Sequence, residues 1–341
     1  MVLRRNKEIL EFDIVIVGAG SAGSVVAGHI AEQTSLKILL LESGGSDFRP
    51  DIKVPIGYGM TFFNSAVNWC YTSVSQKKLF DRKLYVPRGK IVGGSGSINA
   101  MVYLNGLKND FDDWEYFCDD HVSWHSVKAT YDIIEGTRNN SAGKQIYVSD
   151  VSDQHELVLK KFFEAGKTLG FNYSTNLNQA ELGELGSYPL NTRNGVRWTS
   201  ADGFLRPALK SKNIQLIKYA TATRVQTENG RVRGIEFFTG NKKNVVKVRK
   251  GAILAAGAIN TPKLLLLSGI GPGKELTSHG IEVVHNETNI GKNLQDHLGI
   301  DYLYETSADS LNKVLGTWTG RLKSAIAYLL FKKGPFSLSV N

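Results

Sequence analysis

Three glycines and one carboxylate near the amino end have the spacing to hold a phosphorylated nucleotide. Gly18, Gly20 and Gly23 stand in G-x-G-x-x-G order, Ser21 and Ala22 lie between the last two, and Glu42 follows 19 residues after Gly23. In this pattern Gly18 permits a tight turn and Gly20 lets backbone approach a pyrophosphate. Gly23 lets a helix pack close to the preceding strand while its N-terminus faces the phosphate charge. Glu42 can accept hydrogen bonds from a ribose hydroxyl. A second glycine-serine loop lies in "YVPRGKIVGGSGSINAMVYLNG", residues 85–106, where Gly93, Gly94 and Gly96 interleave with Ser95 and Ser97. It is too far along the chain to belong to the first turn. A nicotinamide dehydrogenase has no need of it, whereas a flavin ring must be held at its edge by backbone and small polar groups.

The elements that must position these residues follow from hydrophobic pattern. Phe12–Val17 is a short apolar, β-branched run, as expected for a strand buried on both faces. A helix to about Glu32, with Val26, Ala27 and Ile30 as its packing face, leads to a second strand at Ile38–Leu41 that delivers Glu42. The run "INAMVY" after the second loop reads as a buried loop-to-helix junction, and a helix is expected from His155 to Leu169. From 213 to 258 apolar and polar residues alternate, with Asn229-Gly230 and Thr239-Gly240-Asn241 at the turns, which predicts a meander of antiparallel strands. It runs into the apolar strand Ala252–Ala256 and Gly257, the arrangement by which FAD-binding Rossmann proteins return to their cofactor. In "GAINTPKLLLLSGIGP", Thr261 is placed to cap a helix with Pro262 at its first position, Leu264–Leu267 as its body and Gly269 and Gly271 at its end.

With 341 residues, 42% of them hydrophobic, the chain can bury a sizeable core. The net charge of +9 is compatible with a nucleic-acid or anionic-surface partner, but the basic residues are scattered. The one dense run, Lys242–Lys250, alternates with Val245, Val246 and Val248, as the solvent face of a strand does. No nucleic-acid partner is therefore expected. Cys70 and Cys118 make neither a disulfide framework nor a metal-ligand set, so free thiols and no metal are expected. No signal-peptide core precedes the first strand and no apolar stretch is long enough to span a bilayer, so a cytoplasmic protein is the default. The Asn-x-Ser/Thr triplets at Asn139, Asn172 and Asn286 carry little weight in that setting.

Four motifs together resemble the glucose-methanol-choline (GMC) oxidoreductase family of FAD-dependent enzymes acting on alcohols. They are "GAGSAG" with Glu42, "RGKIVGGSGSINAMVY" at 88–103, "GAINTPKLLLLSGIG" at 257–271 and "IGKNLQDH" at 290–297. The segment "NGVRWTSADGFLRPAL" at 194–209 looks like the family's lead into the meander. The resemblance implies that Gly18, Gly20, Ser21, Ala22 and Gly23 take the pyrophosphate and Glu42 the adenosine ribose. It further implies that Ser95, Asn99, Ala100, Met101 and Val102 lie along the flavin and its phosphate linkage, and Val225 toward the adenine. The histidine that binds flavin covalently in some members falls at Ile98, so the FAD is expected to be non-covalent. The implied reaction moves hydride from the carbinol carbon of a small-molecule alcohol to flavin N5 while a base takes the hydroxyl proton.

Two departures bear on that expectation. Gly96 stands where the family usually has serine, and no histidine precedes a proline, the signature of the family's catalytic base. His279 and His285 read as surface residues, His121 and His125 as structural ones, and His297 with Asp296 as support for the FAD domain. No catalytic residue is assigned, and the chain is expected to be truncated before the catalytic region. The expected architecture is an α/β, FAD-binding Rossmann-type parallel sheet with an inserted β-meander. Its FAD domain is discontinuous, 11–150 and 192–298, with 151–191 an excursion toward the substrate side. Residues 299–341 would begin an antiparallel-sheet substrate domain whose open edges would pair with a missing C-terminal portion or a second copy. A non-catalytic flavin-binding module and an NAD-dependent dehydrogenase are the alternatives, and lyase or decarboxylase chemistry on the same scaffold stays open.

Overall fold

A computed structural model describes residues 10–116, 122–136, 143, 145–154, 157–179, 183–300, 302–307 and 310–339. Cys118, His121, Asn139 and His155, singled out above, lie outside the described residues. The chain packs as two compact units. The first comprises the chain through Asp47, Phe63–Ser97 and Ser200–Ile300, and the second comprises Phe48–Phe62, Ile98–Thr199 and the residues beyond 300. These divisions fall at 97 and 200, whereas the sequence pattern put its boundaries at 150 and 192.

The first unit is built on strand β1 (Leu10–Val17), helix α1 (Ser21–Gln33), β2 (Ile38–Leu41), β3 (Ile214–Ile217), β4 (Ala220–Glu228), β5 (Arg231–Thr239), β6 (Lys242–Leu254) and α2 (Gly257–Leu267). One six-stranded sheet runs in the order β3-β2-β1-β6-β5-β4. β3, β2, β1 and β6 are parallel neighbours, and β6, β5 and β4 form the antiparallel meander. The pleat explains why the inner strands carry no polar face. Val15, Val17, Leu39 and Leu41 enter one apolar cluster with Phe237, Val246 and Leu264; Ile16, Ile38 and Leu40 enter another with Ala27 and Ala31 of α1. Each fully buried Leu or Ile contributes about 1.5–3 kcal/mol of transfer free energy.

β6 is one continuous 13-residue strand rather than a meander strand followed by a separate apolar one. Val246 and Val248 are buried and Val245 is exposed, as the alternation predicts. Helix α2 begins at Gly257, four residues before the predicted cap. Gly257 has φ +83°, which turns the strand directly into the helix, and the Thr261 hydroxyl reaches back to accept from the Ala256 N–H at 3.1 Å. Pro262 thus lies inside the helix.

In the second unit a helix spans Leu157–Thr168, close to the predicted one. The loop-to-helix junction predicted at "INAMVY" leads into no helix there: Ile98 and Asn99 lie in a turn and a bend, Val102 forms an antiparallel bridge with Leu190, and the next helix begins only at Lys108. In the stretch expected to begin an antiparallel-sheet domain, the described residues beyond 300 form helices at Leu311–Gly316 and Trp318–Phe331. The Thr317 hydroxyl caps the longer one by accepting from the Gly320 N–H, which stops the segment from extending as a strand. Among the described residues no helix is long and apolar enough to cross a membrane, and no cluster of side chains could hold a metal ion.

Candidate functional site

The first glycine loop is a steric necessity of the sheet. Gly18 has φ +101°, and a Cβ there would stand 2.5 Å from the Ala255 carbonyl oxygen at the end of β6. A Cβ on Gly23 would lie 1.9 Å from the Gly18 oxygen, so only glycine lets α1 start this close to β1. Gly20 caps α1 without a side-chain hydrogen bond, the first turn carries no acid, and Ser21 and Ala22 are exposed. The amino end of this 13-residue helix therefore presents uncapped N–H groups and its positive dipole end to whatever binds there.

Glu42 closes the turn from the next strand. It is 6% exposed, and its Oε2 accepts from the Ala19 N–H at 2.9 Å while Oε1 accepts from the Gly44 N–H at 2.8 Å. Burial pushes its carboxyl up to about 7, against the opposing pull of those backbone donors. With Ser43 a third backbone donor, one of the four acceptor sites of the carboxylate is left for a ligand hydroxyl.

The second glycine loop folds onto the first. Residues 94–97 form a single 3₁₀ turn, and the Gly93 N–H donates to the Ala19 carbonyl at 2.8 Å. Gly94 has φ +58°, and a Cβ there would sit 2.7 Å from the Gly20 Cα. Gly44, two residues past Glu42, packs so tightly on the strand leading into this loop that its Cβ would reach within 1.9 Å of the Lys90 oxygen. The Ser95 hydroxyl accepts from the Gly89 N–H at 3.1 Å, and the buried Ser97 hydroxyl donates to the Val92 carbonyl. Gly96 faces Ser21, whose Oγ would be 3.2 Å from an added Cβ. The two glycine loops and Glu42 are thus one local structure within the first unit. Val225, by contrast, is buried in the sheet core on β4, and its N–H is taken by the Ser268 hydroxyl at 2.8 Å. Asp296 sits 3.8 Å from Arg88 at the start of the second motif, and His297 donates its own N–H to the Asp296 carboxylate.

The remaining predicted residues belong to the second unit. Asn99 is exposed, Ala100 and Val102 are half-buried, and Met101 is buried with φ +63°, a left-handed conformation that methionine rarely adopts. Sequence reasoning missed what holds them. Arg197, 1% exposed, donates from Nη1 to Asn99 Oδ1 and from Nη2 to the Asn99 carbonyl, both at 2.7 Å, and from Nε to the Ile52 carbonyl at 2.9 Å. The signal was faint: an arginine between Val196 and Trp198 reads as the polar face of a short strand.

This unit also holds an open cavity of about 1110 Å³, lined by Trp124, Tyr131, Glu135, Tyr147 and Asn105 among others. Within it Glu135 accepts from the Tyr103 hydroxyl at 2.8 Å, and burial raises its carboxyl while Tyr103 and Asn105 hold it down. None of the predicted cofactor-binding residues lines it, although Asn194 and Gly195 at the start of "NGVRWTSADGFLRPAL" do.

A family model for GMC oxidoreductases matches residues 12–299. The chain belongs to the GMC oxidoreductase family. Among GMC and related sequences it is 35% identical to an alcohol dehydrogenase [acceptor] of Pseudomonas putida, over 96% of this chain and 61% of that protein. It is 34% identical to an oxygen-dependent choline dehydrogenase of Sinorhizobium medicae, over 95% and 60%. Among solved structures, pyridoxine 4-oxidase from Mesorbium loti is 31% identical with a TM-score of 0.79, covering 84% of this chain and 57% of that one. A formate oxidase gives 25% and 0.85, covering 98% and 61%. A further structure of formate oxidase, from Aspergillus oryzae, concerns FAD modification. The chain spans about three fifths of the length of the curated relatives it matches.

Proposed function

We propose that this chain carries the FAD-binding portion of an oxidoreductase that acts on the CH–OH group of a small-molecule alcohol. The observation that carries the reading is the closure of the two glycine loops on each other beside an uncapped helix end, with Glu42 bracing the first of them. The first loop serves the pyrophosphate of either dinucleotide; the second adds the backbone and small polar groups that hold the edge of a flavin ring. Gly18, Gly20, Ser21, Ala22 and Gly23 would receive the pyrophosphate at the N-terminus of α1, and Glu42 the ribose hydroxyls. Ser95, Asn99, Ala100, Met101 and Val102 are assigned to the flavin, and Val225 to the adenine, on the motif match alone. Bound FAD supplies a two-electron acceptor for alcohol oxidation. Ile98 offers no nucleophile for a covalent link, so the cofactor is held by hydrogen bonds and packing.

The hydroxyl-bearing substrates named in the alcohol dehydrogenase, choline dehydrogenase and pyridoxine oxidase relatives support the CH–OH assignment. The test is the visible absorption of the purified chain before and after denaturation, followed by anaerobic addition of alcohols. Oxidised flavin that is released on denaturation and bleached by an alcohol is the expected result. A chain that stays colourless when soaked in FAD overturns the reading; bound flavin that no alcohol reduces turns it into a flavin carrier.

A further inference from the structure

The charged groups that line the cavity of the second unit are mostly satisfied by their neighbours. Lys128 pairs with Asp132 at 3.2 Å and Lys333 with Asp153 at 3.0 Å. Asp150 accepts from the Ser152 N–H at 2.8 Å, and Glu135 from the Tyr103 hydroxyl at 2.8 Å. Two cations are left over. Lys332 is drawn over the Tyr328 ring, 4.6 Å from its centroid, and Arg193 lies against two rings at once. Among the described residues neither makes an ion pair, and the Arg193 side chain makes no hydrogen bond.

Arg193 is unspent but not loose. Tyr147 and Trp198 meet edge to face with ring centroids 5.2 Å apart, and the guanidinium sits over both, 4.2 Å from the first centroid and 4.8 Å from the second. Held through the ring faces, a guanidinium keeps every N–H donor in its own plane for an acceptor. The rings are braced in turn: Trp198 Nε1 donates to the Gln145 carbonyl at 2.8 Å, and the Asn191 side-chain amide donates to the Tyr147 carbonyl at 2.8 Å. The backbone beneath is a two-residue hairpin in which Arg193 pairs with Val196, and Asn194 and Gly195 at its tip take φ +51° and +69°. The Ser149 hydroxyl donates to the Thr192 carbonyl at 2.7 Å and the Tyr328 hydroxyl to the Gly195 carbonyl at 3.1 Å, which anchors the hairpin at both ends. Little side-chain freedom remains to be lost when an acceptor arrives.

We propose that the cavity of the second unit is a binding site for a small organic carboxylate, gripped by the fork of Arg193. A planar guanidinium edge matches two coplanar oxygens, which makes the carboxylate its natural partner. Trp124, Tyr131 and Tyr147 add aromatic surface to the lining, which suits an apolar body behind the carboxylate and gives an inorganic anion nothing further to bind. The inference goes beyond the FAD reading and does not rest on it.

The test is calorimetric titration of the full chain with benzoate, beside benzyl alcohol, which has the same ring without the charge. Benzoate is expected to bind one site saturably, with a dissociation constant of about a millimolar or tighter. Arg193→Gln should weaken it at least tenfold while benzyl alcohol, bound weakly or not at all, stays within twofold of its behaviour with the unsubstituted chain. Arg193→Lys keeps a cation beside the two rings but loses the fork, so it should weaken benzoate severalfold; it also carries the test if the glutamine variant melts early. No saturable heat with benzoate overturns the proposal, as does benzoate affinity unchanged in both folded variants. Displacement of benzoate by an equal concentration of sulfate makes the site one for an adventitious ion only and overturns the carboxylate assignment. Repeating the titration with FAD present guards the cofactor reading: an unchanged benzoate constant is expected, and competition would put the anion in the cofactor's own site and sink the proposal while leaving that reading intact.

Discussion

The two glycine loops of the first unit reach the same compactness by different routes. In the first, the glycines answer to their own βαβ surroundings: Gly18 to the end of β6, and Gly23 to Gly18. In the second, Gly94 answers to Gly20, a residue of the other loop 74 positions earlier. One loop is thus a property of the fold, and the other a property of the first loop. A mutation in the first should unmake the sheet, while one in the second should unmake the site and leave the sheet standing.

The largest expected effect tests the first half of that contrast. Gly23→Ala forces a methyl group into 1.9 Å of space against a backbone oxygen, so it should destabilise the chain by about 3 kcal/mol or more, read as a fall in the urea midpoint. Gly94→Ala combines a left-handed backbone with a 2.7 Å approach to Gly20. It should cost about 1–3 kcal/mol of stability and a larger share of FAD affinity, measured by melting and by flavin titration of the same protein. Equal losses of stability in the two variants would break the comparison.

Glu42 braces the first loop, and its titration offers a third test. Its carboxyl is raised from 4.5 to about 7 by burial, so the folded chain binds this proton more tightly than the unfolded chain. The stabilisation is complete below about pH 4.5, is lost as pH rises toward 7, and amounts to about 3 kcal/mol in all. Glu42→Gln should flatten that slope in a stability-against-pH series and place an amide donor against the Ala19 or Gly44 N–H, costing about 1–3 kcal/mol. Because a ribose hydroxyl bonds best to the ionised carboxylate, FAD affinity should rise from pH 6 to pH 8 in the native chain and stay level in the variant. The smallest effect belongs to Gly96→Ser. The new Cβ meets only the Ser21 hydroxyl, at 3.2 Å and on an exposed residue, so stability should move by no more than about 0.5 kcal/mol in a melting experiment.

What could be read beforehand follows the same division. β1, α1, β2 and Glu42 were legible because one short stretch contains both the pattern and its reason: apolar runs buried on both faces and glycines at fixed spacing. The meander was legible from period-two alternation and its Asn-Gly turn, where Asn229 and Gly230 both take positive φ. Arg197 was not, since its three acceptors lie about 100 and 145 residues away and its charge argued for the surface. The start of α2 was misplaced because Thr261-Pro262 is a good local cap, yet Gly257 at the end of β6 turned the chain first. After Gly299 the resemblance named the type of domain and not its first elements, while Thr317 and the run to Phe331 carry an ordinary helix signal.

The contact between Gly18 and Ala255 also sets an order of events during synthesis. The strand that closes the turn, β6, pairs with β1 only after more than 200 further residues have been made beyond the first motif. At roughly 5–20 residues per second, the nascent turn and one flank of β1 wait for tens of seconds with an open sheet edge. For that interval an apolar strand edge stands open as a template for pairing, which the finished sheet removes.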